Sequence, residues 1–432
     1  MGPTPPEDAP PFKLPLRPRL RDVMGPGLIT GASDDDPSGI ATYSQVGAEF
    51  GYSVGWTLLI TYPLMCAIQQ ISATIGRVTG IGLAGNLRNH YPRTLLYGVV
   101  AVLLVANTIN LGADLGAMAA ALNLLVPGPM LAYVSFFAVS SLLMEVLVRY
   151  SRYVFILRWL TLSLFAYVAT VFVVHVPWGQ VGIDLVWPRI QFTGTYATAL
   201  VAVLGTTISP YLFFWQASQE VEDEKEDGRT RPLTQAPGQA GYELARIRLD
   251  TYVGMAFSNL IALFIVMTTA ATLHVHGITN IETSAQAAQA LRPLAGEFAY
   301  LLFSMGIIGT GLLAVPVLSG SAAYALGEAF GWPVGLGLKP QRAVGFYAVI
   351  GVATLVGALL NVIGLDPVKA LFWSAVVNGV AAVPVMAMTM LMASRRAVMG
   401  DFTIGPVLKA VGWLATGFML LAAVGMFATW GD

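Results

Sequence analysis

Charge is the scarcest thing in this chain of 432 residues: 11% of them are Asp, Glu, Lys or Arg, where a soluble globular domain carries about 25%. That deficit excludes an ordinary soluble domain. Neither sign dominates, since the net charge is −1, so nucleic acid is not an implied partner. Cysteine is absent but for Cys66. An internal disulfide is therefore excluded, and the thiol is left to pack as a small apolar group within a hydrophobic run. Histidine is nearly as sparse. His90, His175, His274 and His276 fall at the ends of apolar runs or between them, without the convergent partners that a catalytic imidazole needs. No nucleophile–base set, metal-ligand cluster or phosphate-binding loop can be assembled from the pattern, so an enzyme is not expected, nor a bound cofactor.

What the chain has instead is apolar sequence, 56% of its residues, in continuous runs of the ~20 residues that a bilayer core requires of a helix. Backbone groups in lipid must bond internally, which leaves helices or a closed barrel. The runs do not alternate polar with apolar, which excludes the barrel. Eleven spans are expected, over residues 23–50, 54–74, 94–122, 129–148, 153–174, 196–218, 251–273, 299–326, 343–363, 368–392 and 407–428. Lys and Arg orient them. With the N-terminus inside, all but four of the 23 basic residues fall in inner segments, the exceptions being Arg158, Arg189, Arg292 and Lys369. The C-terminus is then outside. Residues 1–22, Pro-rich and basic, read as a cytoplasmic tail rather than a signal peptide. Residues 23–430 read as one transmembrane domain, expected in a bacterial inner membrane. The connection 220–248 begins acidic, turns basic and has no apolar period, so a solvated cytoplasmic loop is expected there.

Two spans are interrupted. Gly31-Ala-Ser-Asp-Asp-Asp-Pro-Ser-Gly39 sets Asp34, Asp35 and Asp36 into span 1, although each acid costs about 2.5–3.5 kcal/mol at a helix centre in a membrane. The apolar stretches on either side are too short to cross alone. Pro37 removes a backbone donor and Gly39 tolerates an unwound conformation, so the simplest solution is one broken helix with an acidic linker. A solvated interfacial loop between two re-entrant pieces is the other reading. Irregular backbone survives at membrane depth only where it is buried in protein or lines a cavity. Carboxylates and free carbonyls in such a place make an oxygen-rich cation site.

The second interruption, in span 6, is Gly205-Thr-Thr-Ile-Ser-Pro-Tyr211. Pro210 breaks the ladder, and Thr206, Thr207 and Ser209 offer hydroxyl oxygens, although such hydroxyls also bond back to their own helix. Spans 1 and 6 are equivalent positions if spans 1–5 and 6–10 are inverted repeats. Paired interruptions of this kind point to a transporter binding site. In span 3, Asp114 is a lone acid among small residues. It is either a proton-relay carboxylate or a partner for Asn107 or Asn110.

Asp36-Pro-Ser-Gly39, followed by Ile-Ala-Thr and by Gly47-Ala-Glu-Phe-Gly-Tyr52, resembles the first-helix signature of the Nramp metal transporters. That signature is Asp-Pro-Gly-Asn, then Ala-Thr and a similar Gly-Ala-x-Phe-Gly-Tyr. Gly205-Thr-Thr-Ile-Ser-Pro-Tyr211 is similar to the family's sixth-helix Gly-Ala-Thr-x-Met-Pro-His. Ala121-Leu-Asn-Leu-Leu125 and Arg248-Leu-Asp250 also keep family order. The resemblance implies an all-α membrane protein of the LeuT type, with an inverted 5+5 repeat and metal held between broken helices 1 and 6. It also implies ligands. The metal-binding aspartate is kept as Asp36, whereas the family's asparagine becomes Gly39, its methionine Ser209 and its histidine Tyr211. Of the acidic pair in the third helix, Leu111 replaces the first and Asp114 the second. The tenth-helix glutamine has no clear counterpart, and Asn378 is the nearest polar residue.

A thioether favours softer transition metals, and a hydroxyl in its place favours a hard ion that keeps its waters, such as Mg²⁺. This departure resembles the Nramp-related magnesium transporters. The expected function is a secondary transporter or facilitator of divalent cations, Mg²⁺ or Mn²⁺, with the metal as substrate, the lipid bilayer as surroundings and no obligatory protein partner. Asp36 is expected as principal ligand with Asp35, Gly39, Thr207 and Ser209, Asp34 as a vestibule acid, Tyr211 and Asn378 as further polar ligands, and Asp114 as a proton relay. Two other readings are a membrane sensor of the same build without transport, which ion flux in liposomes separates, and an organic-cation or amino-acid symporter, against which the triple aspartate argues.

Overall fold

The structure, a computed structural model, describes residues 26–148, 162–227, 230–364 and 366–430. Among them every regular element is a helix, as continuous apolar runs require. In chain order the main ones are α1 (Pro26–Asp34), α2 (Pro37–Phe50), α3 (Gly55–Thr79), α4 (Leu83–His90), α5 (Arg93–Leu125), α6 (Met130–Leu147), α7 (Phe165–Val173) and α8 (Trp178–Val186). There follow α9 (Gly194–Thr207), α10 (Pro210–Asp227), α11 (Ala240–Thr272), α12 (Ala299–Phe330), α13 (Val344–Leu360), α14 (Pro367–Ser394) and α15 (Pro406–Ala428).

Among the described residues, nine helices are long and apolar enough to cross a bilayer, and ten if the pair Leu162–Val173 and Trp178–Val186, bent by 119°, is one span. The stretch Pro37–Thr79 counts once in that nine and holds the second half of expected span 1 together with span 2. The first half is α1, nine residues long and too short to cross at 1.5 Å per residue. The expected start of span 5, residues 153–161, lies outside the described residues, as do residues 1–25.

Both expected breaks are present. Only Asp35 and Asp36 separate α1 from α2, and only Ile208 and Ser209 separate α9 from α10. In each case a proline opens the second half-helix, where its missing N–H costs nothing. Small residues then bring the half-helices close to their neighbours. A Cβ on Gly31 would lie 2.3 Å from the Gly254 carbonyl oxygen of α11, and one on Gly205 would lie 2.0 Å from the Ala375 carbonyl oxygen of α14. Asp250 of α11 fixes the start of α1 by accepting a 2.7 Å hydrogen bond from the Gly27 N–H, one of the amides that a helix N-terminus leaves open.

The connection 220–248 differs from a solvated loop. α10 continues to Asp227 and α11 begins at Ala240. Glu220, Glu224 and Glu243 are buried. Arg77 at the end of α3 lies 3.7 Å from Glu224 and 3.4 Å from Glu243, and Arg246 lies 3.0 Å from Glu243 and pairs with Glu220. Charge pattern alone reads such a run as solvated. The two guanidiniums, one from a distant helix, are what let these acids leave water.

Candidate functional site

The acidic break is buried in protein and is not a solvated loop: Asp34, Asp35 and Asp36 are each 1% exposed. Asp36 caps α2. Its backbone is extended, and its Oδ1 accepts 2.7 Å hydrogen bonds from the Gly39 N–H and the Ser38 hydroxyl. An aspartate at a helix N-cap satisfies an open amide and meets the positive end of the helix dipole. Its Oδ2 faces away from α2 and accepts from Asn110 Nδ2 of α5 at 3.0 Å and from the Tyr211 hydroxyl of α10 at 3.3 Å. Asn110 is held in turn by the Ser374 hydroxyl of α14, which donates to its Oδ1 at 2.7 Å. One carboxylate thus gathers α2, α5, α10 and, through Asn110, α14.

The two breaks meet at this carboxylate. Tyr211 is the second residue of α10, and its hydroxyl also lies 3.4 Å from the Ser33 carbonyl oxygen of α1. Gly39 faces the other break: a Cβ there would stand 2.9 Å from Thr206 Oγ1 and 3.4 Å from the Asp34 carbonyl oxygen. The expected hydroxyl ligands are turned inward. Thr207 Oγ1 donates to the Val203 carbonyl at 2.8 Å, and Ser209 Oγ donates to the Gly205 and Thr206 carbonyls at 2.8 and 2.9 Å. A hydroxyl that donates still carries lone pairs with which it can accept.

Asp34 and Asp35 do not share the donors of Asp36. They meet on the other side, at α11, where the Ser258 hydroxyl lies 2.6 Å from Asp34 Oδ2 and 3.2 Å from Asp35 Oδ1. Asp114 is fully buried and turned toward the Ser38 amide and Asp36, and neither of its oxygens closes a hydrogen bond. Neither expected partner reaches it: Asn110 is spent on Asp36, and Asn107 donates to the Leu318 carbonyl and Ser321 hydroxyl of α12. Asn378 is buried on α14 with its Oδ1 unpaired, and no hydrogen bond joins it to either break. Among the described residues, no basic side chain pairs with any of these aspartates. No group of three or more His, Cys, Asp or Glu there forms a ready-made metal cluster. A cation held at the break would draw most of its ligands from hydroxyls, amides, carbonyls and water.

Asn110, Ser374 and Ser258 belong to this polar centre, yet no motif marks them. Asn110 stands out in the sequence only as a polar residue in an apolar run. Ser258 and Ser374 carry no signal, because hydroxyls in membrane helices are common and usually bond their own backbone.

Residues 27–429 match the model of the family described as Nramp, natural resistance-associated macrophage protein-like. A divalent metal cation transporter MntH of Deinococcus radiodurans is 26% identical over 420 residues, covering 95% of this chain and 90% of that protein. The Klebsiella pneumoniae protein of the same name is 26% identical over 399 residues, covering 90% of each. Among solved structures, the Eremococcus coleocola manganese transporter, in complex with an aromatic bis-isothiourea substituted compound, superposes with a TM-score of 0.71 at 19% identity, covering 95% of this chain and 88% of that one. Mhp1, a nucleobase-cation-symport-1 family transporter, superposes with a TM-score of 0.51 at 15% identity, covering 94% and 92%.

Proposed function

Because the chain belongs to the Nramp family and has its LeuT-type helical fold, we propose that it is a secondary transporter or facilitator of divalent cations, Mg²⁺ or Mn²⁺, in a bacterial inner membrane. The N-terminus and the connection 220–248 lie on the cytoplasmic side in this reading. The observation that carries it is the meeting of both broken helices at Asp36, through the Tyr211 hydroxyl at 3.3 Å. The relatives' names point the same way.

Asp36 is the principal ligand. Four protein donors hold it, and the two on Oδ2 come from other helices. The Tyr211 contact is the longest of the four, so an arriving cation displaces it first. The cation then finds the lone pairs of Thr207 and Ser209 and the Asp34 carbonyl beside Gly39. Alternating access follows from the geometry of half-helices. α2 and α10 each pivot on a two-residue break, so either can tilt while its partner half stays packed, and a ligand bridging the breaks couples the two motions.

Selectivity favours hard ions, because the Ser209 hydroxyl stands where the family carries a soft sulfur. Proton coupling is weak. Tyr211, a phenol where the family carries an imidazole, replaces the family's histidine, and Leu111 replaces the first acid of span 3. The test is purified protein in liposomes, with Mg²⁺, Mn²⁺ and Ca²⁺ uptake measured with and without a pH gradient while an internal dye reports pH. Uptake of Mg²⁺ and Mn²⁺ with little acidification is expected. Absence of flux for every ion would favour the sensor reading. Proton influx that scales with metal uptake and vanishes in Asp114→Asn would make Asp114 a relay.

A further inference from the structure

We propose that Asp34, Asp35, Ser258 and Tyr43 form a second cation-binding point, set between the end of α1 and the middle of α11 and distinct from the ligands gathered by Asp36. It takes a hard divalent cation. This rests on the reading of Asp36 as the principal ligand of the transported ion and goes beyond it by assigning a second ion to the same buried region.

The backbone prepares the place. α1 lies on α11 along a seam of small residues, with Gly27 against Asp250 and Thr251 and Gly31 against Gly254. One further turn along each helix brings Asp34 to Ser258. Close helix approach at glycines fixes where the two carboxylates stand, so their position does not depend on flexible side-chain reach.

The chemistry of the pair differs from that of Asp36. Asp36 has both oxygens engaged, by two donors each. Asp34 and Asp35 share one hydroxyl, and a hydroxyl carries one proton, so Ser258 satisfies one carboxylate at a time. Asp34 Oδ1 and Asp35 Oδ2 accept no hydrogen bond, although both residues are 1% exposed. A second, independent group points to the same place. Tyr43, on α2 and 0% exposed, has Thr206, Asp34 and Asp35 around its hydroxyl, which meets no partner at full hydrogen-bond geometry. Open carboxylate oxygens beside two hydroxyls are a ligand set for a hard ion, which takes oxygen from carboxylates, hydroxyls and water.

With all four carboxyls ionised, charge balances at the same count. Asp34, Asp35, Asp36 and Asp114 are all buried with no basic partner among the described residues. One divalent ion between Asp36 and Asp114 and another between Asp34 and Asp35 leave the region neutral. Buried charge without a counter-charge is what a low-dielectric interior penalises most.

The experiment counts ions. Mn²⁺ bound per chain is measured on the purified full-length protein in detergent, by calorimetry and by the loss of free Mn²⁺ signal in electron paramagnetic resonance. Two ions per wild-type chain are expected. Asp36→Ala keeps one, the double variant Asp34→Asn with Asp35→Asn keeps one, and Ser258→Ala and Tyr43→Phe each weaken one of the two by several-fold. The hydroxyl deletions remove no charge, so they decide the matter if the double variant does not fold. A single ion in the wild type overturns the second point and leaves the proposed function standing, whether the Asp34/Asp35 variant abolishes it or keeps it. No bound Mn²⁺ in the wild type overturns both.

Discussion

Glu243 and Ser258 lie on the same helix, α11, about 22 Å apart at 1.5 Å per residue, and each is the centre of a group of buried acids. Around Glu243 the acids are Glu220 and Glu224, and the chain supplies Arg77 and Arg246 at ion-pair distance. Around Ser258 they are Asp34 and Asp35, with Asp36 and Asp114 beyond, and the described residues supply hydroxyls, an asparagine and amides but no cation. The acids of both groups are buried, so burial does not separate them. The source of the positive charge does. Where it is built into the protein, the acids join α3, α10 and α11 into one corner. Where it is not, the acids sit at broken backbone between helices that a transporter must move.

The contrast predicts opposite outcomes on the two sides. The largest effect is expected at Asp36. Asp36→Ala should lower divalent-ion affinity by at least about 100-fold, from the 3–5 kcal/mol typical of deleting one member of a buried charged set, while the protein remains folded and monodisperse. Calorimetry with Mn²⁺ reads the affinity of each bound ion, and ion number and affinities unchanged from wild type would remove Asp36 from the site. At the other group the loss should fall on stability. Arg77→Ala strands Glu224 and leaves Glu243 to Arg246 alone, and is expected to cost about 3–5 kcal/mol, seen as a lower melting temperature in detergent, with the ion affinity of the folded fraction unchanged. A variant that melts like wild type but loses ion affinity would erase the distinction between the groups.

The smallest effect sharpens the comparison within the ion-seeking group. Ser209→Met should raise the preference for Mn²⁺ or Cd²⁺ over Mg²⁺ by roughly tenfold, about 1.4 kcal/mol, because a thioether replaces an oxygen ligand and narrows the space. Competition uptake in liposomes measures it. A wild-type protein that already takes Cd²⁺ and ignores Mg²⁺ would defeat the softness argument.

How much was legible in sequence follows the range of the interactions. The break between α1 and α2 was readable, because three aspartates, Pro37 and Gly39 act on their own stretch of backbone. The same holds for Pro210 between α9 and α10. That Thr207 and Ser209 donate to carbonyls three or four residues back was one of two readable outcomes, since both the helix and the ligand offer partners to a hydroxyl. The pairing of Asp114 was open and resolved to neither candidate, because Asn110 lies closer in space to Asp36 than its place on the same helix suggested. The connection 220–248 read as solvated because its counter-ion Arg77 lies on α3, out of reach of any local pattern.

The sequence by itself therefore determined the apolar spans, the two broken helices, the acid at the first break and the family signature that surrounds it. These depend on composition, helical length and the backbone chemistry of proline and glycine, all of which act within a few residues. Only the tertiary structure decided which groups meet. Asn110 reaches Asp36 across 74 residues, Tyr211 across 175, and Ser258 reaches Asp34 across 224. Asn, Tyr and Ser are polar enough to complete a buried site and common enough to carry no signal of their own. Helix packing alone places them, through glycine contacts whose geometry no local pattern encodes.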